Sequence, residues 1–178
     1  MRLLPLLSLL VVISSACNDS AAPSHARDLE LQTIDSLENI LFVGDGSLSD
    51  RNAALVLVKS YAKYYQANQP DTLAIDMLFK AGEVSMGLTN GDLAVKYFAT
   101  VAETHPTFNK APEALFLAAF CEETLKGDAQ QAKFFYEEFL KKYPSHKLAE
   151  DAKFSIQNLG KSDEDLIKMF EKGQQSQK

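Results

Sequence analysis

The side chains able to do chemistry are few and scattered. There are three histidines: His25, His105 directly before Pro106, and His146 shortly after Pro144. The latter two fall at the ends of helical segments, where an imidazole commonly meets free backbone carbonyls. No His, Cys or Asp set has the spacing of metal ligands. Glu122-Glu123 and Glu137-Glu138 are adjacent acids. Neighbours on a helix point to different faces, so each pair reads as solvated charge rather than as a general acid and base. No nucleophile elbow, phosphate loop or dinucleotide fingerprint is present. The residues therefore predict no enzyme, no catalytic residue, no metal and no cofactor.

Composition narrows the class further. The chain has 178 residues, 46% of them hydrophobic, with 18 Lys+Arg against 24 Asp+Glu. That suits one domain or a short repeat array, and it is too apolar for a disordered chain. A net charge of −6 argues against nucleic acid, because neutralising phosphates needs an excess of Lys and Arg on one face. Two cysteines, Cys17 and Cys121, cannot make a disulfide framework in a chain of this length.

The first residues read as an address. Arg2 supplies a charge, and Leu3 to Ile13 is an apolar run broken by Pro5 and Ser8. Spanning a bilayer takes about 20 such residues, so the run is too short to cross and instead has the layout of a secretory signal over residues 1–16. The following Ser14-Ser15-Ala16-Cys17 resembles a bacterial lipobox, whose Cys is lipidated and becomes the mature N-terminus; Ser14 stands where that motif most often has Leu. The same Ser-x-Ala also suits an ordinary signal peptidase, which would leave Cys17 a plain thiol. A Cys at the cut followed by the loose stretch Asn18 to Ser24 favours lipid, and several acyl chains would hold the protein at a membrane. Residues 17–27 are then expected to be a flexible tether of roughly 18 Å root-mean-square reach. With Cys17 lipidated, Cys121 has no partner, and its setting is that of a small buried apolar residue.

Beyond Ala22 helical spacing recurs throughout. Ala53, Leu57, Ser60, Tyr61, Tyr64 and Tyr65 fall three and four apart, as do Leu93, Tyr97, Val101 and Phe135, Phe139. Pro70, Pro106 and Pro144 close three helices at intervals of 36 and 38 residues. A second signal follows the first. Ala74-Ile75-Asp76-Met77-Leu78-Phe79, Ala111-Pro112-Glu113-Ala114-Leu115-Phe116 and Ala149-Glu150-Asp151-Ala152-Lys153-Phe154 share one form, with Gly91-Asp92 and Gly127-Asp128 as turns between them. Such a period, built of helix, turn and helix, predicts an all-α solenoid.

These residues resemble tetratricopeptide repeats. Counting from Ile75 as the first position, Gly82 matches the small residue at position 8 where paired helices approach, and Ala94, Phe98 and Pro106 match positions 20, 24 and 32. Ala119, Ala132, Tyr136 and Pro144 repeat the series, with the turn through Gly127 to Gln131 one residue longer. Leu78 and Leu115 replace the usual aromatic at position 4, and Val101 and Phe139 the usual Ala at position 27. The ending Tyr143-Pro144 is like that of repeats found in lipoproteins. The resemblance implies two full repeats within about residues 50–160, flanked by half repeats: Asp50–Gln69 before and Leu148–Leu159 after. Asp28 to Phe42, turning at Gly44-Asp45-Gly46, would supply the first helix of the earlier repeat. Ser162 to Asp165 would cap a closing helix Glu164–Lys172, laid over the end of the stack through Leu166, Ile167 and Phe170. The repeat domain is thus expected over residues 28–172, with 173–178 a polar tail.

In this family the first helix of each repeat lines a groove. Carried over position by position, the lining would be Asp76, Phe79, Glu83 and Met86, then Glu113, Phe116, Phe120 and Glu123, continued by Asp151, Phe154 and Asn158. That row is an aromatic strip with an acidic edge, suited to a peptide with apolar side chains and some Lys or Arg. Equally, each Phe could pack between helices. The resemblance implies a non-enzymatic interaction scaffold in the bacterial envelope, lipid-anchored and facing the periplasm from the outer membrane, with envelope proteins or extended segments as partners and no small-molecule substrate. Outer-membrane β-barrel assembly is the process most similar in its lipoproteins, although those carry more repeats. A periplasmic coordinator of the Tol–Pal system has similar repeats but begins with a coiled coil. An accessory lipoprotein of an envelope enzyme complex is the third reading.

Overall fold

The computed structural model describes residues 22–42 and 50–168, except 163 and 166. Among the described residues seven α-helices follow in order: α1 (Ala22–Phe42), α2 (Arg51–Asn68), α3 (Thr72–Gly87), α4 (Gly91–Thr104), α5 (Ala111–Cys121), α6 (Ala129–Lys142) and α7 (Ala149–Asn158). Among the described residues there is no strand. Each helix packs chiefly against its neighbours in the chain, which is the arrangement of an all-α solenoid of helical hairpins. Residues 1–16, read as a signal, Cys17, Gly44-Asp45-Gly46, read as a turn, Leu166, Phe170 and residues 173–178, read as a tail, lie outside the described residues.

Local chemistry sets the helix starts. Asp50 accepts hydrogen bonds from the backbone N–H groups of Asn52 (2.9 Å) and Ala53 (3.0 Å), Asp71 from Leu73 (2.9 Å), Asn90 from Leu93 (3.2 Å), and Asp128 from Gln130 (3.1 Å) and Gln131 (3.0 Å). Each satisfies donors that the first turn leaves free, worth about 1 kcal/mol apiece. α5 and α7 have no such side chain and begin instead from matching turns. Phe108 N–H donates to His105 and Ala111 N–H to Phe108 before α5; His146 N–H donates to Tyr143 and Ala149 N–H to His146 before α7.

The core runs continuously along the stack through Ile34, Leu57, Tyr61, Tyr64, Leu78, Phe98, Leu115, Tyr136 and Phe139. Small residues let the helices close on each other. A Cβ on Gly82 would lie 2.7 Å from the Phe98 ring, so any side chain here would have to displace that ring, in keeping with its place in the repeat. Ala119, one repeat on, is fully buried. The buried tyrosines do not strand their hydroxyls. Tyr61 donates to Glu38 (2.5 Å) and Tyr136 to Glu123 (2.8 Å), while Tyr64 accepts from Arg27 (2.9 Å).

The structure differs from the sequence reading at several points. α1 begins at Ala22, inside the stretch read as a tether ending at 27. Arg27 explains the ordering there: its guanidinium donates to Asp71 (2.5 Å) as well as to Tyr64, and lies over the Tyr64 ring at 5.7 Å. The extra residue of the second repeat is not in the loop after Gly127. It is absorbed within the helix, where Glu122–Lys126 form a π-turn that continues α5. A π-turn is the geometry of a one-residue insertion into an α-helix. Glu122, read as solvated, is 3% exposed; its backbone carbonyl accepts from Asp128 N–H, and its carboxylate pairs with Lys126 at 3.2 Å. Lys126 also reaches Asp92 on α4 at 3.3 Å and lies so close over Gly91 that a Cβ there would meet it at 2.7 Å. His105 and His146 are engaged by groups other than the helix-end carbonyls. His105 Nε2 is 2.8 Å from the Tyr65 hydroxyl, and His146 Nδ1 accepts from Leu148 N–H (3.3 Å).

At the end of the stack, Ser162 caps as expected: its hydroxyl accepts from Asp165 N–H (3.2 Å) and donates to the Asp165 carboxylate (2.8 Å). Ile167, expected to lie over the stack, is instead 57% exposed. Cys121 is fully buried, and burial pushes its thiol up to about 11, so it is an inert core residue.

Candidate docking groove

Alternate helices α1, α3, α5 and α7 carry the side chains that could meet a partner. α1, α3 and α5 are the first helices of hairpins completed by α2, α4 and α6, and α7 packs against α6. Two hollows lie between these alternate helices. One, of about 430 Å³, has walls from α1 (Glu38, Phe42) and α3 (Lys80, Glu83, Val84, Gly87), with Tyr61 of α2 below. The other, of about 380 Å³, lies between Glu123 of the π-turn and Phe154, Ser155 and Asn158 of α7.

The eleven residues expected to line a groove divide by this geometry. Phe79 is 4% exposed and packs edge-on to Phe98 with ring centroids 5.3 Å apart. Phe116 is half-buried and meets Tyr136 (5.4 Å) and Phe139 (5.7 Å). Both rings are core between the two helices of their own repeat. Met86 is half-buried against the core, while Glu83 and Phe120 face outward. Glu123 and Asn158 line the second hollow together with Phe154, which is 51% exposed; Asp151 is exposed on α7.

Asp76 and Glu113 are engaged in joining repeats. Lys110, at the start of α5, reaches back 2.6 Å to Asp76, and Lys147, just before α7, reaches back 3.4 Å to Glu113, with His146 Nε2 at 3.5 Å from the same oxygen. Lys110 also lies over the Phe79 ring at 4.9 Å. In both places a Lys from the turn before one repeat is tied to the acid in the first helix of the repeat before it.

Electrostatics separate the carboxylates of the first hollow. Glu38 resists the upward push of its partial burial, because Lys80 (2.8 Å) and the Tyr61 hydroxyl hold its carboxylate below the ordinary value. Glu83 behaves oppositely. Desolvation by the walls of the hollow raises it, Lys110 and Lys80 only partly offset this, and Asp76 adds to the rise. Those two lysines are committed to Asp76 and Glu38, so Glu83 makes no ion pair among the described residues. Burial likewise drives the Tyr61 and Tyr136 hydroxyls upward, aided by Glu38 and Glu123 respectively; Tyr136 is also drawn partly back by Ser155.

Glu38, Phe42, Tyr61 and Lys80 are residues of the first hollow that the sequence reading did not place in a groove. The repeat register had been started at Ile75. Carried one period back, it reaches Glu38 on α1. Among the described residues no set of three His, Cys, Asp or Glu is placed to hold a metal ion, and no helix is long and apolar enough to cross a membrane.

Comparison with known families adds one finding. Residues 113–146, from the first turn of α5 through α6 to His146, match the family model of the tetratricopeptide repeat. No curated protein matches the chain significantly. The match falls on the segment with the π-turn and includes Ala119, Ala132, Tyr136 and Pro144, the residues that carried the resemblance. The chain is thus an all-α helical-repeat solenoid in which residues 113–146 are similar to the tetratricopeptide repeat, a family whose members bind protein or peptide partners.

Proposed function

We propose that the protein is a non-enzymatic docking scaffold, held at the bacterial envelope by a lipid on Cys17, that presents its groove to extended segments of other envelope proteins. The observation that carries the docking role is the shared face of the alternate helices. Glu83, Phe120 and Glu123 stand there outside the packed core, with a hollow at each end. The anchor rests on the apolar run and Ser14-Ser15-Ala16-Cys17. Outer-membrane protein assembly is the process we favour, on the likeness of the repeat ending Tyr143-Pro144 to that of assembly lipoproteins.

The test is site-specific photo-cross-linking in envelope membranes, with the cross-linker at Phe120 or, for comparison, at Lys59. Lys59 is exposed on α2, across that helix from Tyr61. Capture of an envelope protein from position 120 and not from 59 is expected. Equal capture from both would overturn the groove. A Cys17→Ala chain should leave the membrane fraction; if it stays, the anchor reading fails and the docking reading does not.

A further inference from the structure

We infer that the hollow between α1 and α3 receives a basic side chain, and that the groove's occupant is an extended segment in which Lys or Arg neighbours an aliphatic residue, with Glu83 as the counter-ion. This rests on the docking reading above and states the chemistry of the partner.

Three observations converge on it. The hollow holds about 430 Å³, within the roughly 300–1,000 Å³ of sites that take a small ligand or part of one. Its walls are mixed. Val84, Gly87 and the half-exposed ring of Phe42 offer an apolar surface for an alkyl stem, and Tyr61 closes the floor. A Lys or Arg side chain has this two-part character, a long apolar stem with a charged head.

The charges then select the sign of the head group. Around the hollow, Glu38 is neutralised by Lys80 and Asp76 by Lys110, each at hydrogen-bonding distance. Glu83 is the acid left over, and the two nearby ammonium groups are already held by other carboxylates. An incoming anion would face Glu83 uncompensated. An incoming cation would supply the counter-charge that Glu83 lacks and offset the cost of its desolvation. The net charge of −6 acts in the same direction at longer range.

The experiment uses the purified soluble Cys17→Ala chain and three fluorescein-labelled decapeptides: alternating Leu and Lys, alternating Leu and Glu, and alternating Leu and Ser. Anisotropy titrations should show the Lys peptide binding best, with affinity falling as salt rises. Glu83→Gln, which keeps the shape, should weaken the Lys peptide about tenfold, the ratio expected for one lost charge-assisted contact. Glu103→Gln, exposed on α4, should leave it unchanged. Equal binding of the Ser peptide, or indifference to Glu83→Gln, overturns the inference while leaving the docking groove standing. Failure of all three peptides to bind also overturns it, and cross-linking at Phe120 then decides the groove separately.

Discussion

Thr89 and Gly127 occupy the same place in successive repeats, one residue ahead of the helix caps Asn90 and Asp128, and both have left-handed backbone, with φ of 55° and 68°. At the first site Thr89 N–H donates to Met86 and Asn90 N–H to Ser85, closing the end of α3 as a Schellman turn. Glycine is the usual residue there because a β-branched side chain is strained at positive φ. Thr89→Gly should therefore stabilise the protein by about 0.5–1 kcal/mol, the relief of strain exceeding the extra entropy of an unfolded glycine. Gly127→Thr should do the reverse. Urea midpoints at constant m-value check both.

Gly82 and Phe98 give a packing prediction. The Cβ of Gly82→Ala would stand 2.7–2.9 Å from a ring with no exposed surface, itself wedged against Phe79. A loss of about 1–3 kcal/mol is expected from this overpacking, despite the better helix propensity of Ala. Combined with Phe98→Leu, Gly82→Ala should cost less than the two single changes added together, as measured by a double-mutant cycle.

Phe116 and Phe120 should part company in a melting experiment. Phe116 packs on Tyr136 and Phe139, so Phe116→Ala should cost about 2–4 kcal/mol. Phe120 is 39% exposed, so Phe120→Ala should stay within about 0.5 kcal/mol and show itself only in partner capture. The double variant Phe116→Ala with Phe120→Ala should therefore melt about as early as Phe116→Ala alone.

Removing Lys126 should be costly for a different reason. Glu122, with its side chain 5% exposed, would keep a buried carboxylate with no cation, and one of its oxygens already has no hydrogen-bond partner. Lys126→Ala is expected to lose about 2 kcal/mol or more. Adding Glu122→Gln should recover part of that loss, read again from urea unfolding.

The pH dependence has two opposed parts. Asp71 is held low by the Leu73 N–H and by Arg27, and Glu38 by Lys80 and Tyr61 against its burial. These give stability that is present above their unfolded values and lost as pH falls through the folded ones. Glu83 is raised, so it binds its proton more tightly when folded and takes stability away as pH rises through the carboxylate range to neutrality. Glu83→Gln should raise the melting temperature at pH 7, and the gain should disappear below the carboxylate range. A gain that persists in acid would show that the side chain acts by packing alone.

The helices were legible because their signals are local. Asp50, Asp71, Asn90 and Asp128 cap, Pro and Gly interrupt, and Ala74, Ala111 and Ala149 mark the period. The groove was less so. A register can assign Phe79 and Phe116 to the first helix of a repeat, but whether a large ring turns outward or into its own hairpin depends on the space beside it. Gly82 opens that space for Phe98, and the ring of Phe98 then meets Phe79. The π-turn was hidden for another reason. An additional residue in a helix and one in the following loop give the same count between landmarks, and only the backbone distinguishes them. Arg27 was missed because its partners, Tyr64 and Asp71, lie far along the chain.

The pairs Asp76–Lys110 and Glu113–Lys147 have a mechanical meaning. Each crosses a joint between one hairpin and the next, so each contributes to the coupling that makes a repeat array unfold as one body rather than unit by unit. Their lysines are partly open to solvent, where ions screen them. Salt therefore acts on the hinges of this molecule more than on its blocks: the stack becomes more compliant along its length while the hydrophobic interior of each hairpin keeps its strength.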